Sequence, residues 1–354
     1  SGGWTVLNSN VEIEYDDTET TFYKLKRNDD FSVKKIKTNF ISTTLQKSPT
    51  NGQKVTITSD KSKAVFVKTP FLSIIFNENG SIKSVKDVKT GREFLSSAAN
   101  KFELFEDRPI NWPAWDIQRY HKEMQLFESI QFDGYDITSH PSQILMKYSI
   151  KSNRNITSPN VRFSTINQTI TFSEDSPSID FTTVVNWTEH DKLLKVAFPT
   201  SVRSKFARFG IQFGHITRST HKNTLRDFAN FEASGRWADL SDANGGVSLM
   251  SDGKSGFDVH EDVIRMSLLK SPMQPDSWAD FGVRKFAYRA VFHSTPFEES
   301  RVPLLSDELI CPVCLAGQKS IQKIDEKILE NSVGSSSLNY GSVFAELFHD
   351  DALN

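Results

Sequence analysis

The sequence predicts an all-β protein built around one large antiparallel sandwich. Short stretches of alternating apolar and polar residues, turn dipeptides between them, and 27 phenylalanines suited to filling the space between sheets all point that way. In chain order, Val11 to Tyr15, Lys54 to Thr58 and Ala64 to Val67 each alternate with the period of a half-buried strand. Asn51-Gly52 marks a turn. Leu72 to Phe76 and Ile82 to Val85 flank Asn79-Gly80, and both of those residues tolerate the positive φ that a tight hairpin requires. Ile166 to Phe172 alternates again. Helical spacing is found only at Ile321 to Leu329. The expected organisation is a small leading β-module over 1–66, a sandwich over 67–296, and a short, partly helical tail over 297–354. In that tail Gly334 to Ser337 reads as a joint, and Phe344 to Phe348 as a short docking element or a frayed end.

Charge narrows the partners. Forty-two Lys and Arg against 44 Asp and Glu leave a net charge of -2 over 354 residues, which provides neither a nucleic-acid footprint nor a polybasic membrane patch. No apolar run approaches the roughly 18 residues that cross a bilayer, and Ser1-Gly-Gly-Trp4 lacks the basic and apolar regions of a signal peptide. Two cysteines, Cys311 and Cys314, make no disulfide framework, so a reducing compartment is expected. The four Asn-x-Ser/Thr triplets, at Asn79, Asn155, Asn167 and Asn186, are read as chance in a chain rich in these residues.

Among the acids, Asp107 and Asp116 flank Trp112 and Trp115. Indole faces cover the apolar side of a pyranose while carboxylates accept its hydroxyl protons, so this stretch is a candidate sugar surface. The alternative is that both tryptophans are core or interface anchors. His215 and His221 lie in a strand-loop without zinc spacing, and Cys311-Pro-Val-Cys314 lacks the second pair that would complete a zinc ribbon. Nucleotide loops and the esterase elbow Gly-x-Ser-x-Gly do not occur.

Two longer runs carry a family resemblance: Phe105-Glu-Asp-Arg-Pro-Ile-Asn-Trp-Pro-Ala-Trp-Asp-Ile-Gln118 and Phe209-Gly-Ile-Gln-Phe-Gly-His-Ile-Thr-Arg-Ser-Thr-His-Lys-Asn-Thr224. With Asp175 to Phe181, Trp187 to Pro199, Trp237 to Ser241 and Ser267 to Asp276, they resemble the C-terminal β-rich half of glycoside hydrolase family 38. These are the α-mannosidases, in the branch that includes the cytosolic and vacuolar enzymes. The resemblance covers roughly residues 70–293 and implies a galactose mutarotase-like supersandwich. No segment resembles the family's catalytic barrel, which bears the nucleophile and binds zinc. Departures are present too: Pro113 stands in place of an aspartate, Leu225-Arg226 precede Asp227 in place of Ser-Trp, Gly235 replaces a histidine and Gly253 a cysteine.

Two functions follow. In the first, the chain is the C-terminal part of a zinc-dependent, retaining α-mannosidase acting on mannose-containing glycans. It holds no cofactor, is inactive alone, and depends on a barrel supplied in cis or in trans. Asp107, Trp112, Trp115 and Asp116 would then reach the substrate site, with Arg218, His221 and Asp227 as further contacts. In the second, the chain is a freestanding, non-catalytic sandwich that binds glycan or a protein. A cytoplasmic location, or delivery from the cytosol to a vacuole or lysosome, is expected, and a homo-oligomer is compatible with either function.

Overall fold

The computed structural model describes residues 13–14, 22–27, 31–36, 44–45, 55–59, 64–151, 163–229 and 232–311. Two compact units are present, Ser1–Gly52 with Asp307–Asn354, and Gln53–Ser306. In the first, β1 (Ile13–Glu14), β2 (Phe22–Arg27), β3 (Phe31–Ile36) and β4 (Thr44–Leu45) pair antiparallel, β1 with β4 and β2 with β3. The helical pattern expected at 321–329, the segments at 334–337 and 344–348, Cys314, the turn at Asn51-Gly52 and the triplet at Asn155 lie outside the described residues.

In the second unit the strands are β5 (Thr56–Ser59), β6 (Val65–Lys68), β7 (Leu72–Phe76), β8 (Ile82–Asp87), β9 (Lys101–Glu106), β10 (Ile130–Ile137), β11 (Gln143–Ile150), β12 (Ser164–Phe172), β13 (Ser178–Trp187) and β14 (Lys192–Pro199). They continue as β15 (Phe206–Ile211), β16 (Gly214–Ser219), β17 (Ala233–Ser234), β18 (Trp237–Asp242), β19 (Gly245–Ser251), β20 (Gly256–His260), β21 (Val263–Lys270) and β22 (Gly282–His293). The helices α1 (Leu225–Ala229) and α2 (Val302–Ile310) are short. The predicted antiparallel, all-β architecture is what the chain adopts.

Three sheets share one core. Their strand orders are β5-β6-β7-β8, β10-β11-β12-β13-β22-β19-β18-β15-β16 and β17-β20-β21-β14-β9, with every pairing antiparallel. Strands β11, β12 and β13 bury every second side chain, so one face of the nine-stranded sheet is apolar and packs inward. Phe181 on β13 meets Phe198 on β14 with ring centroids 5.9 Å apart, joining the two larger sheets, and Phe76 on β7 meets Phe172 on β12 at 6.2 Å. Strand β14 departs from alternation. All but its last residue are buried, so both its faces are covered.

The β7–β8 hairpin forms where Asn79-Gly80 predicts it, but only Gly80 takes a positive φ, and Glu78 and Asn79 occupy the turn's centre. Gly80 has φ +78 and donates its N–H to the Asn77 carbonyl at 3.1 Å. A Cβ there would lie 2.6 Å from two ring carbons of Phe132. Gly80→Ala is therefore expected to lose about 2 kcal/mol, combining backbone strain with a displaced ring. A urea midpoint within experimental scatter of the parent would show that neither is present.

Candidate functional site

The five-stranded sheet has two unlike faces. Phe102, Leu104, Leu194, Val196, Phe198, Phe257 and Met266 join the common core. On the other face the pairing places Glu103 opposite Lys195, Lys195 opposite Ser267, and Arg265 opposite Asp258. Side chains alternate along each strand, so these five polar groups share one surface. That surface is covered: Lys195 is 0 % exposed, and Glu103 and Asp258 are also buried.

Buried charges need partners, and here they have them. Lys195 Nζ donates to Glu232 Oε2 at 2.5 Å, and Ser267 Oγ donates to the other oxygen of Glu232 at 2.6 Å. Arg265 Nε donates to Glu103 Oε2 at 2.8 Å. Lys122, from the covering segment, pairs with Asp258. Burial would raise the Asp258 carboxyl, but Lys122, Lys195 and Arg265 outweigh it and hold it below the usual range. Lys122 itself is pulled down to about 8, first by burial, with Arg265 and Lys222 adding repulsion against the attraction of Asp258. His260, at the end of β20, is lowered by burial and by Lys122 and Lys222.

The cover is the excursion between β9 and β10. At its start Asp107 is buried; it accepts the Gln118 N–H at 2.9 Å on one oxygen and pairs with Lys270 through the other. At its far end the 3-10 turn His121–Met124 packs the His121 ring on Phe105, centroids 5.1 Å apart, with Nδ1 2.9 Å from the Gln118 carbonyl. Between these anchors the chain turns outward. Trp115 and Asp116 both donate their N–H to the Trp112 carbonyl at 2.9 Å, and Trp112 takes a φ of +54.

The two indoles stand edge to face, centroids 6.0 Å apart, and are 69 % and 72 % exposed. Neither is a core anchor. Asp116 is exposed beside them, with Oδ1 accepting the Ile117 N–H at 3.0 Å. Asp107, expected among the substrate contacts, is buried with both oxygens engaged in this arrangement, where it fastens the loop.

The second predicted group lies on and before α1, which the excursion meets. Arg119 sits over the Phe228 ring at 5.6 Å and Tyr120 meets the same ring at 5.8 Å, which ties the excursion to α1. Thr224 caps that helix: its hydroxyl accepts the Asp227 N–H at 3.1 Å and donates to Asp227 Oδ2 at 2.7 Å. The Thr224 and Ser219 hydroxyls hold Asp227 below its ordinary value, with His221 Nδ1 3.4 Å from Oδ2. Arg218, half-buried, faces Ala207 across the β15–β16 pair. The turn after β20 reaches the same segment through the Glu261 N–H, which donates to the Thr220 carbonyl at 2.7 Å. Trp112, Trp115 and Asp116 thus sit on one loop, while Arg218 lies in β16, His221 follows it and Asp227 lies in α1, the helix whose Phe228 touches Arg119 and Tyr120 of the excursion.

Sequence reading passed over His121, Lys122, Lys195, Glu232 and Asp258. The available signal was a charge inside an otherwise apolar strand, as at Leu193-Leu-Lys-Val-Ala197 and Phe257-Asp-Val259. Among the described residues no group of three or more His, Cys, Asp or Glu is arranged to hold a metal ion. Cys311 is an exposed free thiol. Among the described residues no helix is long and apolar enough to cross a membrane.

The architecture is that of a glycosidase β-sandwich. An α-mannosidase from Enterococcus faecalis superposes with a TM-score of 0.61 at 16 % identity, over 80 % of this chain and 34 % of its own. The chain belongs to glycosyl hydrolase family 38: residues 67–277 match the model of that family's C-terminal domain. Similar proteins include α-mannosidase G of Dictyostelium discoideum, 35 % identical over 69 % of this chain and 22 % of that protein. Human α-mannosidase 2C1 is 34 % identical over 71 % of this chain and 24 % of its own. The chain thus spans less than a quarter of the length of these curated relatives.

Proposed function

We propose that this chain is the C-terminal portion of a retaining α-mannosidase that removes terminal α-D-mannose, its exposed loops completing a substrate site whose nucleophile and zinc a catalytic barrel supplies. One observation supports the reading: within a family 38 C-terminal domain, the excursion that bears Trp112 and Trp115 meets α1, which bears Asp227, through Arg119 and Tyr120 on Phe228. Trp112 and Trp115 offer indole faces to the apolar side of a pyranose, and Asp116 accepts a hydroxyl proton. His221 and Arg218 add donors from the segment before α1. The barrel brings the nucleophile and the metal, and no chemical step belongs to these residues alone. The location proposed is the cytosol, or a vacuole or lysosome reached from it, supported by the branch resembled and by the scarcity of cysteine.

The test begins with the polypeptide the cell makes, detected by antibody. A band well above 40.1 kDa with α-mannoside hydrolysis supports the proposal, whereas a band at 40.1 kDa without hydrolysis supports the freestanding glycan- or protein-binding sandwich. In the protein as made, Trp115→Ala is expected to lower kcat/KM for an α-mannoside about tenfold, mainly through KM, because stacking binds ground and transition states alike. Its unfolding midpoint should stay near the parent's, since the ring is exposed. Unchanged kcat/KM would remove Trp115 from the site.

A further inference from the structure

We infer that Lys122 and Asp258 are positioning residues: their ion pair fixes the 107–124 excursion on the five-stranded sheet and so sets where its aromatic tip stands. The inference deepens the mannoside-site reading and relies on it only for what Trp112 and Trp115 touch. The hydrogen bonds recorded within 112–117 are internal to the tip: Trp115 and Asp116 N–H to the Trp112 carbonyl, and Ile117 N–H to Asp116. They give the tip a shape without bonding it to the sheet. Attachment lies at the two ends, and each end uses a charge pair with one nearly buried member, Asp107 with Lys270 and Asp258 with Lys122.

The two pairs have opposite polarity. At one end the loop supplies the anion and β21 the cation; at the other the loop supplies the cation and β20 the anion. A loop shifted in register would part Asp107 from Lys270 and Lys122 from Asp258 in a region sheltered from water, where an unpaired charge is costly. One seating is therefore favoured over its neighbours. Lys122 directly follows His121, whose ring lies on Phe105, so the Lys122 pair also holds the turn that ends the tip. Around Asp258 stand Lys195 from β14, Arg265 from β21 and Lys122 from the loop, so its carboxylate keeps countercharges on the sheet even while it clamps the loop.

The experiment is made on the protein as the cell makes it. Lys122→Met is compared with Lys122→Arg, which keeps the charge, and with Lys122→Met/Asp258→Asn, a neutral pair that leaves no stranded carboxylate and stays folded where the single change does not. Amide hydrogen exchange over 112–118 is expected to quicken by about tenfold in Lys122→Met and in the neutral pair, with β12 and β13 unaffected and Lys122→Arg near the parent. The KM for an α-mannoside should rise about tenfold with kcat within about twofold, and the rise should vanish in a Trp112→Ala/Trp115→Ala background. Unchanged exchange at 112–118 in the folded variants would overturn the inference whatever the activity, and so would a KM effect that adds fully to the tryptophan changes. Faster exchange with an unchanged KM would uphold the positioning and instead sink the sugar-facing reading of the tryptophans.

Discussion

Glu232→Ala is expected to destabilise the second unit by about 3–5 kcal/mol, the range for breaking one side of a buried ion pair. Lys195 is 0 % exposed on a strand covered on both faces, and Glu232 is its hydrogen-bonded partner at 2.5 Å. Without that carboxylate the ammonium faces Asp258, which already serves Lys122 and Arg265. Ser267 loses its acceptor in the same step. Glu232→Gln, which keeps the shape and a hydrogen-bond acceptor, should lose less. Lys195→Met/Glu232→Gln should recover most of the loss, because two neutral side chains need no compensating charge. Denaturant unfolding at pH 7 separates the four proteins. A loss below about 1 kcal/mol in Glu232→Ala would mean that Lys195 is not held as a buried cation.

What the sequence disclosed and what it concealed divide along the range of the interaction that decides each residue's fate. Alternation in β12 and the Asn79-Gly80 hairpin depend on neighbours a few residues apart, so periodicity and turn chemistry found them. Asp107 was read by its place near two tryptophans, and its bond to Lys270, 163 positions away, was not legible there. Lys195 presents the same problem: in Leu193-Leu-Lys-Val-Ala197 it reads as a solvated interruption of an apolar strand, and only Glu232 and Asp258, from other elements, account for its burial. The tryptophans were legible as chemistry. Their exposure depends on a turn that bends them away from the core, with Trp112 at a φ that no pattern of residues announced.

Acidification is expected to act through His121, which gives the second large effect. Burial first, and then the positive charge of Lys195, push its pKa from 6.5 to about 3, against the pull of the Gln118 carbonyl and Asp258. The folded state therefore holds the ring neutral at pH values where the unfolded chain protonates it. This contribution to stability is complete above pH 6.5, shrinks as the pH falls below that value, and is gone once the folded ring titrates near 3. At pH 4 the loss from this one group is about 3 kcal/mol. His121→Gln has no proton to take up, so its urea midpoint should fall more slowly than the parent's between pH 6.5 and 4, even if it starts lower at pH 7. Parallel midpoint curves would show that His121 charges in the folded protein and is not sealed by Phe105 and the turn. The group that titrates is also the one that seats the end of the aromatic excursion. Loosening of the 112–118 amides should therefore precede global unfolding as the pH falls, because the turn can open and admit a proton without disturbing β12 or β13.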